Sequence, residues 1–218
     1  MCGRFAQIYD DSALKQEFQL EDIRENITNR FNISPGMEVN TIIGVSDKNS
    51  FVKQHWGINS IHGRELDNLV FNTRSDTFIK DRFGKHFHKT RCIIPVSGFF
   101  EWNNKQPYFV KSLKNDILSL AGVFILDRRT NEYSCSVMTV NSIGQLSNIH
   151  ERMPLILSGY DKIKWLNNSR SDVSDLENIC LKRIDTTELD IFRVTDRVNS
   201  LLHDSPQCIE KLNENSLL

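Results

Sequence analysis

Between Arg91 and Val140 the apolar residues come in strand-length runs, broken by turn residues, and this pattern narrows the fold most. Cys92-Ile93-Ile94-Pro95-Val96 and Phe99-Phe100-Glu101-Trp102 are separated only by Ser97-Gly98. Asn103-Asn104-Lys105 then reads as a hairpin turn into Pro107-Tyr108-Phe109-Val110. Ile117 to Leu126 and Tyr133 to Val140 are rich in β-branched and aromatic residues, so both predict strands. Thr41 to Val45 and Phe51 to Trp56 add two more around the turn Ser46-Asp47-Lys48-Asn49. Strands outnumber helices without regular strand–helix alternation, which argues against a doubly wound sheet. The expected fold is a single α+β domain of mostly antiparallel, barrel-like sheets flanked by short helices.

The remaining elements are short. Asp10, Asp11 and Ser12 can cap a helix over residues 10–19, with Leu14 and Phe18 on one face. Asn32-Ile33-Ser34-Pro35-Gly36 reads as a turn, and residues 57–69 as a polar surface loop. Asn72-Thr73-Arg74-Ser75-Asp76 opens a helix to about Phe83. Residues 142–149 suit a short helix, Met153 to Leu157 an extended run, and Ser158 to Asn167 a capped helix. Residues 170–190 carry six acids against three bases, the composition of a solvated face. Ile191 to Val198 predicts a late strand, and the polar tail after about residue 204 is expected to fray.

A length of 218 residues fits one domain, here taken as 1–218. The formal net charge of −1 does not advertise a nucleic-acid partner, so any such surface must be local. No apolar run approaches transmembrane length, and Arg4, Asp10 and Asp11 interrupt the start before any signal-like core. A cytosolic, monomeric protein without membrane contact is expected. The five cysteines are widely spaced and odd in number, which argues for reduced thiols, with Cys92 and Cys135 as small core residues.

Four places hold polar residues where packing alone would not put them. The first is Met1-Cys2-Gly3-Arg4-Phe5. If Met1 is removed, Cys2 carries an amine and a thiol on adjacent carbons. Such a pair condenses with an aldehyde to an imine and closes to a thiazolidine. An unperturbed α-amine is roughly one-tenth neutral at pH 7. The second is Asn72-Thr73-Arg74, which reads either as a helix cap with a surface charge or as a phosphate site. The third is Glu101 among aromatics: an edge-strand carboxylate in water, or a desolvated acid with a raised pKa. The fourth is His150, which Pro154 places at the mouth of a strand as a structural imidazole or a proton shuttle. Lys80, Arg82, Lys85, Lys89 and Arg91, interleaved with Phe83 and Phe87, form either a solvated face or a nucleic-acid track. His86-x-His88 has no carboxylate or cysteine at ligand spacing, so neither a metal nor a cofactor is expected.

Together these residues resemble the SRAP family, the SOS response-associated peptidase-like proteins that guard abasic sites in single-stranded DNA. The resemblance rests on Met1-Cys2-Gly3-Arg4-Phe5, Asn32 to Gly36, Trp56-Gly57, Asn72-Thr73-Arg74, Pro95 to Trp102, His150 to Pro154 and Val194 to Asn199, in the family's order. It implies covalent capture of an abasic deoxyribose by Cys2 through a thiazolidine, with lyase activity and Met1 self-processing as associated reactions. By motif position, Asn72 would position Cys2, Glu101 would assist ring opening and proton transfer, and His150 would act as acid or base. Arg4 and Arg74 would hold phosphates, and Pro35, Trp56 and Arg152 fall at DNA-binding positions. The implied partner is single-stranded DNA bearing abasic sites, handled near the nucleoid, with replication-associated proteins as further partners. Two departures stand out: Asp76 occupies a position often held by Glu, and residues 58–69 carry no aromatic where the family often has one that stacks on DNA. The competing classes are an N-terminal-nucleophile glutamine amidotransferase, disfavoured by Arg4 and the lack of an Asn-Gly pair, and a noncovalent DNA binder or peptidase.

Overall fold

The computed structural model describes residues 2–46, 48–61, 64–80, 86–114, 116–127, 130–168, 172–182 and 186–212. Its centre is a ring of five strands whose pairing closes on itself. Strand β3 (Glu38–Val45) pairs antiparallel with β4 (Lys48–Trp56) and with β8 (Arg91–Val96). Strand β8 pairs with β11 (Leu118–Asp127), and β11 with β12 (Glu132–Asn141). A short parallel contact from β12 to β4 completes the circuit. Two short strands extend β12: β7 (Asn72–Arg74), parallel, and β13 (Arg152–Pro154), antiparallel. Strand β14 (Ile156–Leu157) lies on β11.

A second, five-stranded sheet carries the amino terminus. Its order is β15 (Leu189–Arg193), β10 (Gln106–Ser112), β9 (Gly98–Asn103), β1 (Phe5–Gln7) and β2 (Arg30–Ile33). Strand β1 is only three residues long, yet it is paired on both sides, Phe5 facing Ile33 on β2 and Phe99 on β9. Gln7 fixes its far end: Nε2 donates to the Asn40 and Pro95 carbonyls at 2.9 and 2.8 Å, and Oε1 accepts from the Asn40 amide at 3.0 Å. The β9–β10 turn works because Asn104 and Lys105 both take left-handed backbone (φ 47° and 71°), as a tight hairpin with right-handed strand twist requires.

The helices are short and capped. Helix α1 (Asp11–Phe18) starts at Asp10, whose carboxylate accepts from the Ala13 amide at 2.7 Å, a cap worth about 1 kcal/mol. Its buried face carries Leu14 and Phe18. Helix α2 (Ser75–Lys80) follows β7 directly; Phe83, where the sequence suggested it ends, lies outside the described residues. Helices α3 (Tyr160–Leu166) and α4 (Val173–Leu181) pack against each other and the barrel. No described helix is long and apolar enough to cross a membrane.

Four expectations change. Residues 57–69 hold the hairpin of β5 (Ile58–Ile61) and β6 (Arg64–Val70), not an irregular loop, because Ile58 is a core residue hidden by strand polarity on the other face. Asn32 and Ile33 belong to β2, so the turn is confined to Ser34-Pro35-Gly36. The acidic 170–190 segment contains an amphipathic helix, with Leu176, Ile179 and Cys180 buried beneath a charged face. The tail does not fray at 204. Asp204 accepts from the Phe31 and Asn32 amides at 2.6 and 3.0 Å and pairs with Arg30, and Cys208 is buried. All five cysteines are reduced and buried, Cys92 and Cys135 in the barrel core as expected.

Gly98 starts β9 in close packing against β10 of the same sheet: a Cβ there would meet Phe109 Cζ at 2.3 Å and the Val110 carbonyl oxygen at 2.7 Å. Gly98→Ala is expected to cost about 1–3 kcal/mol through overpacking, read as a lower urea midpoint with an unchanged slope.

Candidate active site

Cys2 lies one turn of chain before β1 and is fully buried. Two contacts hold it. Asn72 Nδ2, at the start of β7, donates to the Cys2 carbonyl at 2.8 Å, and the Cys2 thiol sits 3.9 Å from the Arg4 carbonyl. The Arg4 carbonyl itself accepts from the Phe100 amide at 2.9 Å, which ties the segment to β9. Behind it, Phe5 packs on Trp56 with ring centroids 4.3 Å apart. Among the described residues Asn72 Oδ1 is buried without a hydrogen-bond partner, so an acceptor stands ready beside the Cys2 backbone.

Glu101 is on β9 and only 1% exposed. Burial pushes its carboxyl up to about 7, with the positive chain terminus pulling the other way. The desolvated acid anticipated from the Phe-Phe-Glu-Trp sequence is therefore the observed one. Burial likewise raises the Cys2 thiol far above its ordinary range, and the Glu101 charge adds to the effect. Cys2 thus rests as a neutral thiol and needs a base to react.

His150 precedes β13. Its Nδ1 lies 3.0 Å from the Arg152 amide nitrogen and 3.1 Å from the Arg152 carbonyl oxygen. Nδ1 accepts from the Arg152 amide, which puts the ring proton of the neutral imidazole on Nε2.

Of the cationic positions, Arg4 is half-buried and donates through Nη1 to Asn32 Oδ1 at 3.0 Å. Arg74 is exposed and makes a two-pronged pair with Asp76, Nε to Oδ1 at 3.2 Å and Nη2 to Oδ2 at 3.1 Å. The shorter Asp76 therefore still reaches Arg74, and it lies 3.9 Å from Arg152 Nη2. Arg152 is nearly buried, its guanidinium held by Asn141 Oδ1 at 2.6 Å and by Thr139. Pro35 is half-buried in a turn whose Gly36 amide donates to the Trp56 carbonyl at 2.7 Å.

Trp56 is not a stacking platform for a base. It is fully buried, packed on Phe5 and Phe71, and its indole N–H donates to the Phe71 carbonyl at 2.9 Å. Its position after Gln54-His55 in a β-strand gave no sign of this, because alternation could place it on either face. Of the basic stretch over 80–91, which reads as a solvated face or a nucleic-acid track, Lys80 and Lys89 are exposed and Arg91 is withdrawn. Arg91 is buried and donates to the Trp165 and Asn167 carbonyls, while Phe78 and Phe87 are core residues. Residues 81–85 lie outside the described residues.

Asn32, which the sequence offered only as a turn residue, is a buried hub. Its Oδ1 orients Arg4, and its Nδ2 lies within 3.3 Å of the Val198, Ser200 and His203 carbonyls. A buried Asn facing an arginine has no local signature, so no sequence signal marked it.

The chain matches the family model described as SOS response associated peptidase (SRAP) over residues 1–201. The chain belongs to the SRAP family. Among its relatives, a Bacillus subtilis protein named abasic site processing protein YoqW is 27% identical over 96% of this chain and 99% of the relative. The rat protein named abasic site processing protein HMCES is 33% identical over 71% of this chain and 54% of its own length. A crystal structure of a Bacteroides thetaiotaomicron protein shares the fold, with a TM-score of 0.79 at 23% identity, covering 97% of this chain and all of that one.

The raised Glu101 carboxyl makes stability pH-dependent in a stated direction. An unfolded Glu loses its proton near 4.5, the folded one near 7. Between these values the folded chain binds more protons, so stability falls as pH rises, by about 3 kcal/mol across the window. Glu101→Gln should flatten this part of the curve, measured by urea unfolding at pH 4.5 to 8.

Proposed function

We propose that this protein captures abasic sites in single-stranded DNA, joining Cys2 to the ring-opened sugar as a thiazolidine once Met1 is removed. The observation that carries this reading is Asn72 holding the carbonyl of a buried Cys2 beside a carboxyl that keeps its proton near neutrality. The relatives named abasic site processing proteins support the same substrate.

The sugar of an abasic site equilibrates between a closed hemiacetal and an open aldehyde. Protonated Glu101 donates to the ring oxygen while the anomeric hydroxyl gives up its proton to His150 or water, so the ring opens faster to the aldehyde. The Cys2 amine then adds to the aldehyde carbon, and loss of water gives an imine. The Cys2 S–H adds across the C=N bond: sulfur bonds to carbon, and the thiol proton ends on nitrogen. Because the thiol rests neutral, that transfer passes through a base, and ionised Glu101 or His150 serves. Asn72 Oδ1 accepts from an N–H of the Cys2 amine as it attacks, and from the ring N–H of the thiazolidine once the thiol proton has reached nitrogen. Arg4 and Arg74 hold the phosphates beside the sugar. Removal of Met1, by the protein itself in the peptidase-like manner of the family description, has to precede all of this. Strand cleavage by β-elimination from the imine is the competing lyase reaction, and thiazolidine closure suppresses it by removing the imine. The protecting outcome and the lyase outcome therefore diverge at one step.

Uracil-containing single-stranded DNA treated with uracil glycosylase tests the reading. Protein whose intact mass confirms loss of Met1 should give a heat-stable DNA adduct, and Cys2→Ala should give none. A wild-type protein lacking Met1 that yields no adduct overturns the proposal. In the same assay Glu101→Gln is expected to slow adduct formation at least about tenfold while leaving DNA affinity within about twofold. Equal rates for the two proteins from pH 5 to 8 would remove Glu101 from the reaction.

A further inference from the structure

Beside the candidate site lies a cavity of about 260 Å³ that the reaction does not use. Its walls are aliphatic: Ile79 from α2, Val140 from β12, Met153 from β13 and Ile156 from β14. Its rim is cationic. Arg74 and Lys80 are exposed there, and Arg152 contributes an edge of its guanidinium. Two of the cavity's lining residues are tied to the reacting residues. Arg74 is two residues from Asn72, which holds Cys2, and the Arg152 amide donates to His150. The volume is below the usual range for drug-sized ligands and fits a single heterocycle.

We infer that this cavity takes the base of a nucleotide flanking the abasic residue, turned out of the strand. The inference rests on the single-stranded DNA reading above and adds a subsite to it. Three features select this occupant. The rim cations can pair with the phosphates on either side of that nucleotide, and the apolar walls can replace the stacking that the base loses. The third is the fate of the aromatic that sequence position offered for stacking: Trp56 is buried and closed to DNA, so a strand held here needs apolar contact elsewhere. Polar atoms at the rim, the Asp76 carboxylate and the Ser75 hydroxyl, can meet the base edge. Asp76 already spans Arg74 and approaches Arg152, so an incoming phosphate and base edge would compete for the same groups.

The test is a scan of baseless spacers. Cys2→Ala protein is titrated by fluorescence anisotropy with single-stranded DNA carrying one abasic analogue. A second position, moved stepwise to either side, carries a tetrahydrofuran spacer in place of a nucleotide. Loss of the base at one flanking position should weaken binding about tenfold, and loss elsewhere by less than about twofold. Leu181→Trp, an exposed change at the cavity's edge, should reproduce the loss on base-bearing DNA and add nothing on the DNA lacking that base. Titration of the wild type with deoxyadenosine monophosphate should shift the methyl resonances of Ile79 and Ile156, a readout that needs no variant. A flat spacer scan with normal crosslinking by the wild type overturns the subsite and leaves the capture reading intact. A position-dependent scan with no crosslinking does the reverse. Absence of any single-stranded DNA binding overturns both.

Discussion

The hydrogen bond from Asn72 to the Cys2 carbonyl is the contact on which the rest of the site depends. A chain terminus ordinarily frays, since few contacts offset its conformational entropy. Here the second residue is fixed by a side chain from a strand seventy positions away, and the fifth to seventh residues are paired on both sides. Strand β1 is the seam between the two sheets. Its Ala6 carbonyl accepts from the Ser97 amide just before β9, its phenylalanine meets Trp56 of the barrel, and its glutamine reaches β3 and β8. The barrel thereby supplies Asn72 and the second sheet supplies Glu101, and the amino terminus is threaded between them.

That arrangement explains the electrostatics without special devices. The seam is dry because it lies between two packed faces. Dryness raises both the Glu101 carboxyl and the Cys2 thiol, so each is held in its protonated form where water would let it ionise more readily. The same burial stabilises nothing by itself. It is a cost met by the surrounding aromatic packing, and it keeps an acid available near neutral pH. The imidazole differs: its Nδ1 is held by the backbone of its own loop.

Much of this was legible in the chain because it is written in local patterns. The strands from Arg91 to Val140, the Asp10 cap and the Asn104-Lys105 hairpin follow from alternation, capping and turn chemistry, each needing only neighbouring residues. Glu101 was conspicuous because a carboxylate among aromatics conflicts with its surroundings. What was not legible depends on which face of a strand meets which sheet. Trp56 and Arg91 have sequence surroundings that suit either burial or exposure, and only the closure of the ring settles it. Asn32 and Asp204 act across 172 positions, and no local pattern carries that distance.

The Asp204 carboxylate has a further consequence. Strand β2 is the outer strand of its sheet, and the row of amides along such an edge is an invitation to another chain. Two consecutive amides there, those of Phe31 and Asn32, are already occupied by the one carboxylate, and Arg30 beside them is paired with it as well. The returning tail thus covers part of an open sheet margin, leaving fewer free amides there for an added strand.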